Sequence, residues 1–314
     1  MKVAVEQLRR DVVGMPFHFV EKHQVLEVIE DWRAAGRREM IVVNNPHAVM
    51  LCWRDAEMRE ATLRAGLVLP DGVGVIVAAA ILGYGRKHRV TGPSVMLDVC
   101  DRGRSLGLRH FFYGGAEGVA EKLARKLGAR FPGLQVVGTY CPPFRELTRE
   151  EDEHVTALIN DAKPDVLWVG LGAPKQERWM IRHHGRLNAV ATIGIGAAFD
   201  FHSGTVPWAP VWVRRCGLEW AHRLLVNPKR MWQRNIDSPR FIVRVIGQAV
   251  GSFLRLPKLA PTPPPLRVAR APAAGPRERE RLIAEWCRSS IDIPLPQSRF
   301  GANDSPKQVQ DVTA

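Results

Sequence analysis

A pair of glycines stands where the chain could hold a phosphate group. Gly114 and Gly115 follow an apolar run and precede a helical pattern over residues 116–130. At such a junction, backbone N–H groups and the positive end of the helix dipole favour an anion. Two Gly-x-Gly fragments further along, at residues 170–172 and 194–196, are more typical of tight turns from strand to helix. The first pair is therefore a candidate nucleotide-binding turn, with a purely structural turn as the alternative.

A carboxylate occupies a comparable position earlier in the chain. Asp71 ends a short apolar stretch and is followed by Gly72, which lets a substrate approach the backbone. A carboxylate at such a turn can act as a general base and take a proton from an attacking hydroxyl. It can equally cap a helix or form part of the turn. The residues alone leave both interpretations open.

Several common catalytic and metal-binding motifs are missing from the sequence. It contains no HExxH, no GxSxG and no GxxxxGK[ST] motif. The five cysteines are scattered without a CxxC pair, which argues against a zinc knuckle and is typical of a reducing cytosol. The sequence also has no Asp-x-Asp pair at a strand end, the motif with which many nucleotide-sugar enzymes bind a divalent metal on the diphosphate. We therefore expect no metal, and Arg or Lys side chains to neutralise the charge.

Alternating apolar runs and amphipathic stretches from residue 17 to about residue 205 would position these groups. Five runs end in glycine or asparagine, or precede such a residue, as buried parallel strands often do: residues 40–43, 109–113, 135–138, 165–169 and 189–193. Helical patterns cover residues 116–130, 148–162 and 174–184; Thr148 and Glu151 match a capping box, and Pro174 suits a first helical turn. This order predicts an α/β fold with a mainly parallel sheet.

The composition changes sharply near residue 206. Residues 206–256 combine tryptophans with an excess of basic over acidic side chains and a helical apolar spacing. That combination is typical of a helix lying in a membrane interface. A helix pair that packs its tryptophans on the main domain is the alternative, and both can hold. Residues 257–314 are rich in proline and predict a flexible tail, with one short helix at 277–288.

The composition of the whole chain bounds the class of protein. Of 314 residues, 46% are hydrophobic and 25% charged, which excludes a disordered chain, a collagen-like chain and a disulfide miniprotein. The net charge of +13 suggests a polyanionic partner: nucleic acid, anionic lipid or a phosphorylated substrate. The longest apolar run, residues 72–83, is shorter than the roughly 20 residues that span a bilayer. The first residues lack the apolar core of a signal peptide, so any membrane would be bound at its surface.

Five short motifs occur together and in a characteristic order. They are Asn44-Asn45-Pro46, Pro70-Asp71-Gly72, Arg89-Val90-Thr91-Gly92, the run GLGAPKQE at residues 170–177 and the run GLEW at residues 217–220. With them, roughly residues 15–235 resemble the WecG/TagA/CpsF family, glycosyltransferase family twenty-six. The resemblance implies a Rossmann-like core at residues 1–205 and a basic appendage at 206–256 that binds the membrane and closes the site. The tail at 257–314 has no counterpart in the family.

The activity that the resemblance implies is an inverting, metal-independent glycosyl transfer. The donor would be a UDP-sugar (N-acetylmannosamine, its uronic acid or a hexose), and the acceptor a polyprenyl-diphosphate-linked saccharide. Such enzymes make bacterial surface polysaccharides or exopolysaccharides. They are cytoplasmic and bound peripherally to the inner face of the cell membrane. The expected partners are the donor, the acceptor and an anionic membrane surface, with no cofactor and no nucleic acid.

The resemblance also assigns roles to individual residues. Asp71 matches the family's proposed base, and Asn45 an asparagine whose amide can both donate to and accept from sugar hydroxyls. Gln176 matches a residue near the active site, and Arg89 an arginine suited to phosphate, with a surface ion pair as the alternative. The family commonly has a threonine where this chain has Val43, which lacks a hydroxyl. For the donor or lipid diphosphate we expect three arginines of the appendage, since guanidinium binds phosphate through paired hydrogen bonds: Arg223, Arg230 and Arg234.

Two other classes of protein remain as alternatives. The positive charge and the Trp/Arg-rich stretch are compatible with a nucleic-acid-binding protein, whose affinity would fall steeply with salt. The charge is concentrated in an amphipathic segment and no helix-turn-helix, RRM or zinc signature occurs, which argues against that class. A membrane-associated scaffold that has lost activity is the second alternative, and Val43 is the feature that hints at it.

Overall fold

The computed structural model of the chain describes residues 5–85, 87–226 and 228–254. At residues 215, 223 and 229–235 it describes the backbone alone. The tail predicted at residues 257–314, including its short helix at 277–288, lies outside the described residues.

Within the described residues, eight strands are arranged in two sheets. They are β1 (Arg9–Val12), β2 (Met15–His18), β3 (Glu39–Asn44), β4 (Leu67–Pro70), β5 (Arg109–Gly114), β6 (Gln135–Tyr140), β7 (Val166–Gly170) and β8 (Ala191–Gly194). β1 and β2 form an antiparallel hairpin. The other six form one sheet in the order β4-β3-β8-β7-β5-β6, and every neighbouring pair is parallel. The predicted α/β fold with a parallel sheet is confirmed.

The part of the chain that the structure describes also contains twelve α-helices, which connect and cover these strands. They are α1 (Gln24–Ala34), α2 (Pro46–Cys52), α3 (Ala56–Arg64), α4 (Val73–Ile81), α5 (Gly92–Arg102), α6 (Val119–Arg130), α7 (Arg149–Ala162), α8 (Lys175–His183), α9 (Ala198–Ser203), α10 (Val211–Arg215), α11 (Glu219–Val226) and α12 (Pro228–Phe253). The predicted capping box is present, with Thr148 Oγ1 accepting from the N–H of Glu151 and Glu151 accepting from the N–H of Thr148. Pro174 lies at the N-cap of α8, one residue before the first turn that the sequence predicts for it.

Side chains alternate between the two faces of the sheet, as the pleat of a strand requires. Within β7, Trp168 packs with α1, α5, α6 and α9 on one face. Its neighbours Leu167 and Val169 pack with α7 and α8 on the other. A sheet buried on both faces explains why its strands are nearly continuous apolar runs rather than alternating ones.

A third apolar cluster joins the appendage to the edge of the sheet. It is formed by the hairpin, α2, α4 and α12, and Phe241 and Val245 of α12 are fully buried in it. Gln248 adds polar contacts, because its Oε1 accepts from the N–H of Val13 at 2.7 Å and its Nε2 donates to the carbonyl oxygen of Asp11 at 3.1 Å. The helical spacing predicted for residues 241–254 is therefore confirmed, and one face of α12 packs on the core.

The outer face of the appendage remains in contact with solvent. Trp212 is 65% exposed and Trp220 is 53% exposed, whereas Trp208 is half-buried. The packing alternative therefore describes one side of the stretch. The exposed apolar side chains on the other side leave the membrane-interface interpretation a prediction. Within the described residues, no helix has the length and apolar character needed to cross a membrane.

Candidate active site

The predicted site residues lie along the carboxyl edge of the parallel sheet. In the register of the sheet, Asn44 at the end of β3 pairs with Pro70 at the end of β4, and Gly114 at the end of β5 pairs with Gly170 at the end of β7. From β5 the chain continues to β6 on one side of the pair β5–β7, and from β7 it continues to β8 on the other side. Such a divergence opens a crevice at the carboxyl ends of the two strands, which is where open α/β sheets bind ligands.

Asp71 and Asn45 come together at the β3–β4 end of this edge. The N–H of Asp71 donates to the carbonyl oxygen of Asn44 at 2.9 Å, which fixes the turn after β4 beside the turn after β3. Gly72 has φ 85°, and a Cβ placed on it would lie 3.6 Å from Cβ of Asn45. Gly72 occupies the N-cap position of α4, so Asp71 lies one residue outside the cap. Asp71 is therefore half-buried at the edge of the sheet, in a turn whose backbone lies beside Asn45.

Asn45 also has a structural task. Its Oδ1 accepts a hydrogen bond from the N–H of Ala48 at 3.0 Å, so it is the N-cap of α2. This cap holds the side chain in a defined orientation at the mouth of the site. Val43, where the family commonly has threonine, is half-buried and packs against the main core. Val43 thus makes an apolar contact at this position and cannot make the hydrogen bonds of a threonine hydroxyl.

Arg89 lies beside the end of β4 and contacts the start of the appendage. The N–H of Val90 donates to the carbonyl oxygen of Pro70 at 3.0 Å, which brings the segment next to the turn that carries Asp71. The guanidinium of Arg89 donates to the carbonyl oxygen of Arg214 at 3.1 Å and lies 3.6 Å from the carboxylate of Glu219. The ion pair that the sequence left as an alternative is present, and it joins the core to the appendage.

Gln176 lies in the middle of the edge, where it links the turns after β7 and β8. It is buried, and its Oε1 accepts from the N–H of Gly196 at 2.9 Å. Its Nε2 donates to Oε1 of Glu177 at 2.7 Å. The two bonds fix both ends of the Gln176 amide.

Glu177 is a buried carboxyl group to which sequence reasoning assigned no role. It is 1% exposed, and its Oε2 has no hydrogen-bond partner among the described residues. Burial raises the pKa of Glu177 from 4.5 to about 7, with the hydrogen bond from Gln176 opposing the shift. The position of Glu177 next to Gln176, a candidate site residue, indicated that it lies near the site. Nothing in the sequence indicated how deeply its side chain is buried.

Gly114 and Gly115 form the crevice between β5 and β7. Gly114 has φ 129°, and a Cβ on it would lie 2.6 Å from the backbone carbon of Gly170. The N–H of Gly115 donates to the carbonyl oxygen of Gly170 at 3.1 Å. The structural turn, which the sequence analysis gave as the alternative to nucleotide binding, is therefore present. Because the turn also lies at the crevice, phosphate binding there stays a prediction. β5 lies four strands from β4, so this crevice is about 19 Å from the Asp71 turn.

The remaining candidates belong to the appendage. Arg223 lies on α11, and Arg230 and Arg234 lie on α12, but their side chains are outside the described residues, so their contacts stay a prediction. Within the described part of the chain, no group of three or more His, Cys, Asp or Glu side chains is arranged to hold a metal ion.

A buried ion cluster near the site was also missed by the sequence analysis. Asp237 of α12 is 2% exposed, and its Oδ2 accepts from Arg54 at 2.6 Å and lies 2.7 Å from Nδ1 of His47. His47 follows Asn45 by two residues, on the first turn of α2. Because Asp237 is far from both partners in sequence, only the packing of α12 on α2 reveals the cluster.

A parallel α/β sheet that gathers a carboxylate, amides and an arginine along its carboxyl edge defines an enzyme with an open, edge-bound active site. The chain belongs to the glycosyl transferase WecG/TagA/CpsF family, whose model matches residues 10–254. The predicted family and the predicted enzyme class, a glycosyltransferase, are therefore confirmed.

Three relatives carry the same name. A protein of Bacillus spizizenii is 30% identical over 206 residues, which cover 66% of this chain and 78% of the relative. One of Bacillus subtilis is 26% identical over 76% of this chain and 88% of the relative, and one of Staphylococcus aureus is 27% identical over 70% and 86%. All three are named N-acetylglucosaminyldiphosphoundecaprenol N-acetyl-beta-D-mannosaminyltransferase.

Proposed function

We propose that this glycosyltransferase moves a sugar from a UDP-sugar to a saccharide linked through diphosphate to a polyprenol, in the synthesis of a bacterial surface polymer. The names of the relatives favour N-acetylmannosamine as the sugar and an N-acetylglucosaminyl diphosphate lipid as the acceptor. The uronic acid of N-acetylmannosamine and a hexose remain the other donors to be tested. The observation that carries the proposal is the hydrogen bond from the N–H of Asp71 to the carbonyl oxygen of Asn44, which sets the Asp71 turn next to Asn45 at the carboxyl edge.

The proposed chemistry is a direct displacement that inverts the anomeric centre. An acceptor hydroxyl attacks the anomeric carbon as the bond from that carbon to the diphosphate oxygen breaks. The hydroxyl proton passes to the carboxylate of Asp71, and the nucleoside diphosphate leaves with the bonding electron pair. Asn45 would orient a sugar hydroxyl, since its amide both donates and accepts.

The donor would lie along the carboxyl edge. Its uridine would point towards the crevice at Gly114 and Gly115, and its sugar and diphosphate would lie towards Asp71; the two ends of this edge are about 19 Å apart. Gln176 lies between the two ends. Negative charge on the leaving diphosphate would be neutralised by arginine, with Arg89 and the arginines of the appendage as candidates and no metal ion required.

We propose that the appendage holds the enzyme on the inner face of the cell membrane. The exposed side chains of Trp212, Trp220 and Leu225, the last 84% exposed, support this role. Aromatic and aliphatic side chains among basic residues favour the boundary between headgroups and acyl chains. Nucleic acid is not among the proposed partners.

Release of nucleoside diphosphate that depends on the acceptor tests the proposal. The variant D71N should lower turnover by about 100-fold or more, the size expected for loss of a general base. D31N is the matched control, because Asp31 is also half-buried but lies on α1, near the amino edge of the sheet. Near-full turnover in D71N would refute the assigned base. A wild-type chain that transfers none of the three sugars would favour the inactive scaffold.

A further inference from the structure

Helix α4 carries a line of exposed aliphatic side chains. Its sequence, VGVIVAAAI, has no polar side chain, and Val73, Val77 and Ile81 are 40%, 41% and 43% exposed. Residues four apart share a helix face, so the three form one continuous line. A helix that is apolar on all sides is normally buried all round, whereas α4 buries only its inner side, through Val75, Ala78 and Ala79. The outer line is therefore an apolar surface that the described residues leave partly exposed.

This line, which we call the α4 line, starts at the candidate base. α4 begins two residues after Asp71, and the helical rise places Val77 and Ile81 about 6 and 12 Å beyond Val73. The turn between α10 and α11 lies against its first member, since a Cβ on Gly217 would come 2.3 Å from Cγ2 of Val73. The α4 line thus leads away from the catalytic turn, with the appendage beside its beginning.

We propose that the α4 line binds the first isoprene units of the acceptor's polyprenyl chain. This inference rests on the proposed function, in which the acceptor presents a sugar hydroxyl to Asp71. The diphosphate and chain then extend from the far side of that sugar. Arg89 lies beside the end of β4, where it is near enough to the same turn to face the diphosphate. The branched aliphatic chain meets Val77 and Ile81, and no charged group of α4 has to lose its water.

The shape of the α4 line favours a single chain over a bilayer surface. It is one large aliphatic side chain wide, with the small side chain of Ala80 exposed beside it, and about 12 Å long. The broader apolar surface lies on the appendage, where Trp212, Trp220 and Leu225 are more exposed than any member of the α4 line. We therefore assign the bilayer to the appendage and the acceptor chain to α4.

Steady-state kinetics with two acceptors test this assignment. The first carries a polyprenyl chain and is presented in detergent micelles, so that no bilayer is present. The second is the same sugar diphosphate on a methyl group, too short to reach Val77. The variants V77Q, I81Q and their double mutant keep a good helix former at each position. L63Q and L158Q, on α3 and α7, are matched controls because those leucines are 45% and 38% exposed and lie on other helices.

We expect the double variant to raise KM for the polyprenyl acceptor about tenfold, from lost burial of two partly exposed aliphatic side chains. KM for the donor, kcat/KM for the methyl acceptor and flotation with anionic vesicles should match those of wild type and of L63Q and L158Q. An unchanged KM for the polyprenyl acceptor would overturn the assignment, whether flotation is lost, the oligomeric state changes, or neither moves. An equal loss with both acceptors would overturn it as well, since that pattern reports damage to the fold. Failure of the wild-type chain with both acceptors would instead refute the proposed function.

Discussion

The buried carboxyl group of Glu177 is expected to make the folded protein less stable as pH rises. Glu177 is 1% exposed, and burial raises its pKa from 4.5 to about 7. The perturbation is E177Q, which keeps a side-chain oxygen to accept the hydrogen bond that Gln176 donates at 2.7 Å. The substitution removes the titrating group and leaves the shape of the site nearly unchanged.

The size and sign of the effect follow from proton linkage. Between pH 4.5 and about 7, the unfolded chain has lost this proton while the folded chain retains it. Unfolding then releases a proton, so the free energy of unfolding falls by about 1.4 kcal/mol for each pH unit. Over the whole interval, the wild type should lose about 3 kcal/mol relative to E177Q. The difference should be constant below pH 4.5 and above about pH 7.

Urea unfolding of both proteins from pH 4 to pH 8.5 measures this difference directly. Taking variant minus wild type cancels the other titrating groups, because both proteins share them. E117Q is the control for loss of one carboxylate, since Glu117 is exposed on the turn before α6. A difference curve for E177Q that is flat across this range would refute the raised pKa. A curve that falls with pH would refute the sign of the argument.

Two further predictions concern packing at the edge of the sheet. D237A should lower the free energy of unfolding by about 2 kcal/mol. The loss is smaller than for a fully buried ion pair because the side chain of Arg54 is 49% exposed. The variant should also speed proteolytic cleavage within α12, and unchanged cleavage would contradict the role of this carboxylate in holding α12 on the core. G114A should cost about 3 kcal/mol or more, because its new Cβ would meet the backbone of Gly170 at 2.6 Å. G118A, with φ 73° but no atom within 4 Å, should cost only about 1 kcal/mol, and equal melting temperatures for the two variants would contradict the steric argument.

The sequence predicted most of the parallel sheet because its strands carry a strong local signal. Five of the six strands are apolar runs that end at turn residues, and the capping box of α7 is fixed by two residues of one turn. β4 was not among the five predicted runs, although the sequence placed Asp71 where a short apolar stretch ends. The hairpin β1–β2 was missed because the polar side chains of Arg9, Arg10 and Asp11 interrupt the apolar pattern of its first strand. The local pattern therefore identifies the central layer better than the short elements at its margin.

The candidate site was predictable where it depends on strand ends and obscure where it depends on distant packing. Asp71 and Asn45 each follow a strand, and parallel strands end at one edge, so their proximity follows from the topology. The burial of Glu177 and the contact of Asp237 with α2 depend on helices that meet only in the folded chain. No spacing in the sequence records such contacts, and the roles of the site residues stay predictions until the variants are measured.

Of the two interpretations of Arg89, the ion pair is present and phosphate binding stays a prediction. Its guanidinium contacts the carbonyl oxygen of Arg214 and the carboxylate of Glu219, while the same carboxylate accepts from the indole N–H of Trp208 at 3.0 Å. An arginine carries five N–H donors, so these two contacts do not exhaust its capacity to bind a phosphate. Since Glu219 holds the guanidinium and Trp208 together, a shift of the appendage would also shift the cation beside the Asp71 turn. The ion pair therefore positions the very charge that a diphosphate would need.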